Sequence, residues 1–247
     1  GREHPNWQPL VVDGVRIDTM VEAYIGNPPS LGLVAHERAH ILLGAGDMYF
    51  NILYPYAAGP YSLMDQSPAN PPHLDPFHKL RLGWLQPTIV MSDGVQNLTD
   101  IETTRRVLIL YNPMRTEKEY FIVENRWPGN SYDQYLPHAG LAVWHIIEDP
   151  SVFEHLPTPP SVNPQGWSNV GGWSRLAIRM IRPVYGPPID WRLWDGANAV
   201  VGYDLLSVDP NPQHVTLRWA DGTPSGFALR NISSAGPVLS VQGDVPF

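Results

Sequence analysis

The stretch Leu31-Gly32-Leu33-Val34-Ala35-His36-Glu37-Arg38-Ala39-His40-Ile41-Leu42-Leu43 decides how the chain is read. Asn27-Pro28-Pro29 breaks the backbone before it, and Ser30 is placed to cap the first turn. Gly44 and Gly46 end the run. Apolar residues lie on every side of it, so the expectation is a buried helix over 31–43. Residues four apart on a helix differ by about 40° of rotation, so the imidazoles of His36 and His40 share one face. This spacing allows two histidines to bind one Zn²⁺. Glu37 is set to reach a water on that ion rather than the ion itself, and to act as general base. Two ordinary hydrogen-bonded histidines on an amphipathic helix are the alternative. A charged His-Glu-Arg run inside an apolar helix favours the metal, because an uncompensated buried charge is costly.

A third ligand is expected soon after the glycine turn. Asp47, 11 residues beyond His36, leads, with Glu124, His73 and His78 as further candidates. In Tyr61-Ser62-Leu63-Met64-Asp65, Met64 reads either as core filler or as the methionine bed beneath a metal. Asp75-Pro76 supplies an N-cap and first-turn proline for a second short helix, Phe77 to Leu82, stopped by Gly83.

Around this centre the composition sets bounds. The 247 residues suffice for one or two domains with a real core. Pro and Gly make up about a fifth of them, against roughly 12% in an average chain, which favours short strands and turns over long helices. With no cysteine, disulfides, iron–sulfur clusters and thiolate zinc sites are excluded. A net charge of −8 without a basic stretch argues against nucleic acid. No apolar run reaches the roughly 18 residues of a membrane span. Gly1-Arg2-Glu3 has no apolar segment behind it, so no signal peptide is read. Gly1 is taken as a processing product or a non-native start.

From residue 87 the texture becomes β-rich. Arg106–Tyr111, Glu119–Glu124, Leu141–Ile147, Arg175–Ile181, His214–Trp219 and Val238–Gln242 read as strands. Val11–Ile17 reads as a hairpin turning at Asp13-Gly14, and residues 150–174 as an ordered loop. The expected class is α+β: a short zincin-like helical segment carrying the HExxH helix, then a mainly antiparallel sheet or sandwich. Two domains are read, 1–86 and 87–247.

Taken in order, His36-Glu37-Arg38-Ala39-His40, Gly44, Asp47-Met48-Tyr49, Ser62-Leu63-Met64 and Phe77 through Leu85 resemble the M6 family of secreted bacterial metallopeptidases, the immune inhibitor A type. Glu119–Arg126, Leu136–Ile146, Asp221–Gly226 and Asn231-Ile232-Ser233 extend the likeness over most of residues 10–242. The resemblance implies a secreted zinc endopeptidase acting on protein or peptide substrates, with Ca²⁺ as a further structural ion. It implies His36, His40 and Asp47 as zinc ligands, Glu37 as base and Met64 as the Met-turn. Four departures stand out around the motif. Leu43 occupies the position of the family glycine, Asp47 comes one residue later than the pattern, Arg38 replaces an aromatic residue, and Phe50-Asn51 stands where an acidic residue often follows the tyrosine, which weakens a Ca²⁺ site there. Only 35 residues precede His36, where the family carries a longer subdomain. A missing N-terminal segment or a second chain would have to supply it. Two other readings stand beside the peptidase: a degenerate binding or structural module, and a metal enzyme of different chemistry using the same His-Glu-His set.

Overall fold

A computed structural model describes residues 10–13, 15–17, 30–45, 48, 58–65, 70–129, 132–148, 168–169, 177–184 and 190–247. The chain is α+β, with few helices and mostly antiparallel sheets. The elements are β1 (Leu10–Val12), β2 (Val15–Ile17), α1 (Leu31–Leu43), α2 (Pro76–Arg81), β3 (Gln86–Ile89), β4 (Gly94–Thr99), α3 (Ile101–Thr104), β5 (Arg106–Leu110), β6 (Glu119–Arg126), β7 (Gly140–Ile147), β8 (Ser168–Asn169), β9 (Ala177–Ile181), β10 (Ala228–Arg230) and β11 (Val238–Asp244). Short 3₁₀ turns lie at Gly59–Tyr61 and Asp133–Tyr135. Among the described residues no helix is long and apolar enough to cross a membrane.

The main sheet has six strands in the order β3-β5-β6-β7-β9-β8, antiparallel except for the parallel β3–β5 pair. Its centre, β6 and β7, is buried on both faces, so their near-continuous apolar runs have a physical cause. Along these strands the side chains alternate between two cores. Tyr120, Ile122, Ala142, Trp144 and Ile146 join Ala39, Tyr61, Met64, Leu74 and Phe77 on the helical side. Phe121, Val123, Leu141 and Val143 join Leu98, Leu229, Leu239 and Val241 on the other, where the three-stranded sheet β10-β11-β4 packs. The first core thus unites residues from both sides of the 86/87 boundary. Where β7 begins, Gly140 has φ +143°, and a Cβ there would stand 2.4 Å from the Trp194 carbonyl oxygen. The residue next to it, Leu141, pairs with Trp194 in both directions (2.9 and 3.2 Å), so only glycine fits this approach.

Several expectations are corrected. Helix α1 spans the expected residues, capped by Ser30 (Leu33 N–H to Oγ, 3.3 Å) and ended by Gly44 at φ +63°. It is buried on one face only, through Gly32, His36 and Ala39; Leu31 and Leu42 are 66% and 74% exposed. His214–Trp219 is not a strand. Leu217 N–H bonds Leu206 O and Trp219 N–H turns back to Thr223 O, so the chain folds locally around Asp221-Gly222 instead of extending along a neighbour. In the 150–174 stretch, Ser168–Asn169 forms β8 and the rest lies outside the described residues. Strands β3, β4 and β10 had no expectation attached.

One buried network bears on pH. His145 on β7 lies between Glu119 (Nε2 to Oε1, 2.8 Å) and Arg179, which donates to Nδ1 at 3.2 Å. Nδ1 therefore accepts and Nε2–H donates, which is the neutral ring. Burial first, then Arg179 and Arg115, outweigh Glu119 and lower its pKa from 6.5 to about 4. The unfolded chain binds this proton more readily than the folded one, so the contribution is complete above pH 6.5 and is lost as pH falls toward 4. It is worth about 3 kcal/mol at most. Melting temperatures of His145→Gln and the unaltered protein, measured from pH 4 to 7.5, should show a flatter acid limb for the variant. Parallel curves would remove this network as a cause.

Candidate metal centre

Helix α1 delivers His36 and His40 to one place, as a four-residue spacing must. Their Nε2 atoms are 3.1 Å apart and their rings meet edge-on at 87°. His36 Nδ1 lies 2.8 Å from the Leu63 carbonyl, and His40 Nδ1 lies 2.7 Å from the Ala45 carbonyl. A carbonyl oxygen only accepts, so both Nδ1 atoms carry the proton and both Nε2 atoms present lone pairs. Two lone pairs at this distance repel unless a proton or a cation lies between them. Two nitrogens about 2.0–2.1 Å from one tetrahedral Zn²⁺ stand roughly 3.3 Å apart, close to what is found. Backbone carbonyls holding the far nitrogens are the usual second layer of a histidine metal site.

Glu37 follows His36 in the same turn. Its Oε2 is buried and has no hydrogen-bond partner among the described residues. A carboxylate oxygen left so is costly, unless a water or ligand proton serves it. The residues present therefore fit a metal with a water beside it. His36 is buried, whereas His40 and Glu37 are half-exposed, so solvent reaches one side.

The segment containing Met64 meets α1 at Leu63 and in the first core. Leu63 O receives the His36 proton, Met48 N–H bonds Met64 O at 2.9 Å, and Met64 is fully buried with Ala39 in the first core. Beside it, burial pushes the Asp65 carboxyl up to about 8, although the amides of Ala58 and Gly59 bond it at 2.5 and 2.6 Å. Asp47 lies outside the described residues.

The other candidates are engaged elsewhere. His78 donates from Nδ1 to Asp75 at 2.7 Å, and Asp75 caps α2 while accepting from Ser62 at 3.0 Å. Burial opposes the Asp75 charge, but His78 and these bonds hold its pKa down at about 2. Glu124 accepts from Lys79 (3.2 Å), Arg126 (3.2 Å) and Trp144 (3.1 Å). Its burial favours the neutral acid, yet Lys79 and Arg126 hold its pKa below the usual range. His73 belongs to a separate group with Glu102 and Asp133, whose ligand atoms all lie within 4.8 Å of one another and could hold a metal ion. Sequence reasoning missed Glu102 and Asp133, because nothing in their spacing relates them to His73.

Compared with known proteins, the chain matches no family profile, no curated protein and no solved structure.

Proposed function

We propose that the chain is a zinc-dependent endopeptidase of the M6 kind, exported from a bacterium and acting on protein or peptide substrates. The observation that supports this best is the convergence of the His36 and His40 Nε2 lone pairs at 3.1 Å beside the unpartnered Glu37 Oε2. His36 and His40 hold the ion, and Asp47 is the proposed third ligand. When bound, zinc polarises a carbonyl and makes a water acidic near neutral pH. Glu37 takes the proton of the attacking water at Oε2 and passes it to the leaving amine as the C–N bond breaks. Leu63 O and Ala45 O fix the tautomer and the aim of the two rings.

The test is metal content and casein cleavage together. Zinc in the purified protein should fall by about one per chain in His40→Ala, with cleavage lost. An unchanged zinc content in a folded variant would remove His40 from the site. Zinc lost without any cleavage in the parent protein would favour a binding module or a different metal chemistry.

A further inference from the structure

We infer that His73, Glu102 and Asp133 form a second metal centre, separate from the HExxH pair, that takes a zinc-class divalent cation. The three come from different parts of the fold: the segment leading into α2, helix α3, and the 3₁₀ turn Asp133–Tyr135. Their ligand atoms converge within 4.8 Å.

The state of His73 points to a cation. Its Nδ1 lies 2.8 Å from the Leu74 carbonyl, so Nδ1 donates and Nε2 presents a lone pair. That Nε2 is buried, makes no well-formed hydrogen bond among the described residues, and has the Asp133 Oδ2 atom as a long contact at 3.4 Å. A lone pair facing a carboxylate oxygen is repulsive, and 3.4 Å is the spacing of two donors on one ion. The rival arrangement has Lys79 Nζ, 3.2 Å away, donating to Nδ1 and a proton on Nε2. Its contact with Asp133 would then be long for a charge-assisted bond, which is normally about 2.7–2.9 Å.

Lys79 pairs with Glu124 and Arg126 bridges Glu124 and Asp133, while Glu102 shares its cavity with His73, Lys79 and Arg105. Glu102 and Asp133 are already aimed. Arg126 grips Asp133 through Nε (2.6 Å) and Nη2 (2.7 Å), and Glu102 Oε1 accepts the backbone N–H of Tyr132 (3.1 Å) and of Asp133 (2.6 Å). Such supports pre-set metal ligands. One imidazole with two carboxylates suits zinc better than calcium, which prefers all-oxygen shells. His73 and Glu102 also line a cavity of about 390 Å³, which gives the ion a way in. The centre would clamp three distant segments. It also braces the first site, because His73 O accepts from Leu63 N (3.2 Å) and Leu63 O accepts from His36.

The experiment uses the full chain carrying His36→Ala and His40→Ala, stripped by chelator and reloaded with Zn²⁺. Elemental analysis should find about one zinc per chain, and zinc should raise its melting temperature. Adding His73→Ala should abolish both effects. Should that variant fail to fold, Glu102→Gln must weaken binding, and the His73 Nε2 nitrogen resonance must move on zinc addition. A folded double variant that binds no zinc, or binds it irrespective of His73 and Glu102, overturns the proposal. So does an Nε2 that stays protonated in the presence of zinc. The second centre rests on no part of the peptidase reading: the double variant lacks both HExxH histidines, so zinc held through His73 and Glu102 is found in it whether or not the parent protein cleaves casein.

Discussion

Glu37→Gln should leave the fold and the zinc content intact while lowering kcat for peptide cleavage by roughly 10²- to 10⁴-fold, the range for loss of a general base. The amide keeps the shape of the carboxylate but cannot take a proton. Because Glu37 Oε2 has no partner among the described residues, its replacement breaks no bond seen there, and stability should hold or rise slightly. KM should change little, since the loss falls on the chemical step. A variant that still cleaves casein at the parental rate would take Glu37 out of the mechanism. One that loses zinc would instead make Glu37 a support of the site.

The largest effect on stability should come from Arg126→Met. Arg126 is fully buried, bonds Asp133 through two nitrogens, and bonds Glu124 (3.2 Å) and the Tyr61 carbonyl (3.0 Å) through a third. Asp133 opposes desolvation largely through this partner, which holds its pKa far below the usual range. Removing the guanidinium leaves a buried carboxylate without its ion pair, at a cost of about 3–5 kcal/mol. For a chain of this size the melting temperature should drop by roughly 6–20 °C. Pairing the change with Asp133→Leu should recover part of the loss, because the stranded charge goes with it. Arg126→Lys should recover less than the parent value, since an ammonium cannot grip both oxygens. A loss below about 1 kcal/mol would show that water reaches the pair.

What the sequence made legible was local. Helices α1 and α2 could be read because their ends carry their own signals: Ser30 and Gly44 for one, Asp75-Pro76 for the other. The His36–His40 pair could be read because helical geometry alone brings residues four apart together. The carbonyls of Leu63 and Ala45 that set the two tautomers could not, since Leu63 arrives through a tertiary contact 27 residues away. The strand beginning at Glu119 is expected to end at Glu124, but β6 continues through Asn125 and Arg126, and all three residues are buried. The two charges are buried because Lys79 and Asp133 reach them from outside the strand. Apolar runs in β6 and β7 named strands but not faces, as both faces are covered. His214–Trp219 had the composition of a strand, but its backbone makes scattered bonds, to Leu206, Thr223 and Ser225 among others, in place of a continuous ladder.

The central claim is that one ion joins His36 and His40. Diffraction data collected from crystals on both sides of the zinc absorption edge test it most directly. The account predicts an anomalous peak about 2.0–2.1 Å from each Nε2 atom, with Glu37 reaching toward a water beside it. A map from ordered crystals with no peak between those nitrogens, whatever metal is found elsewhere, would contradict it.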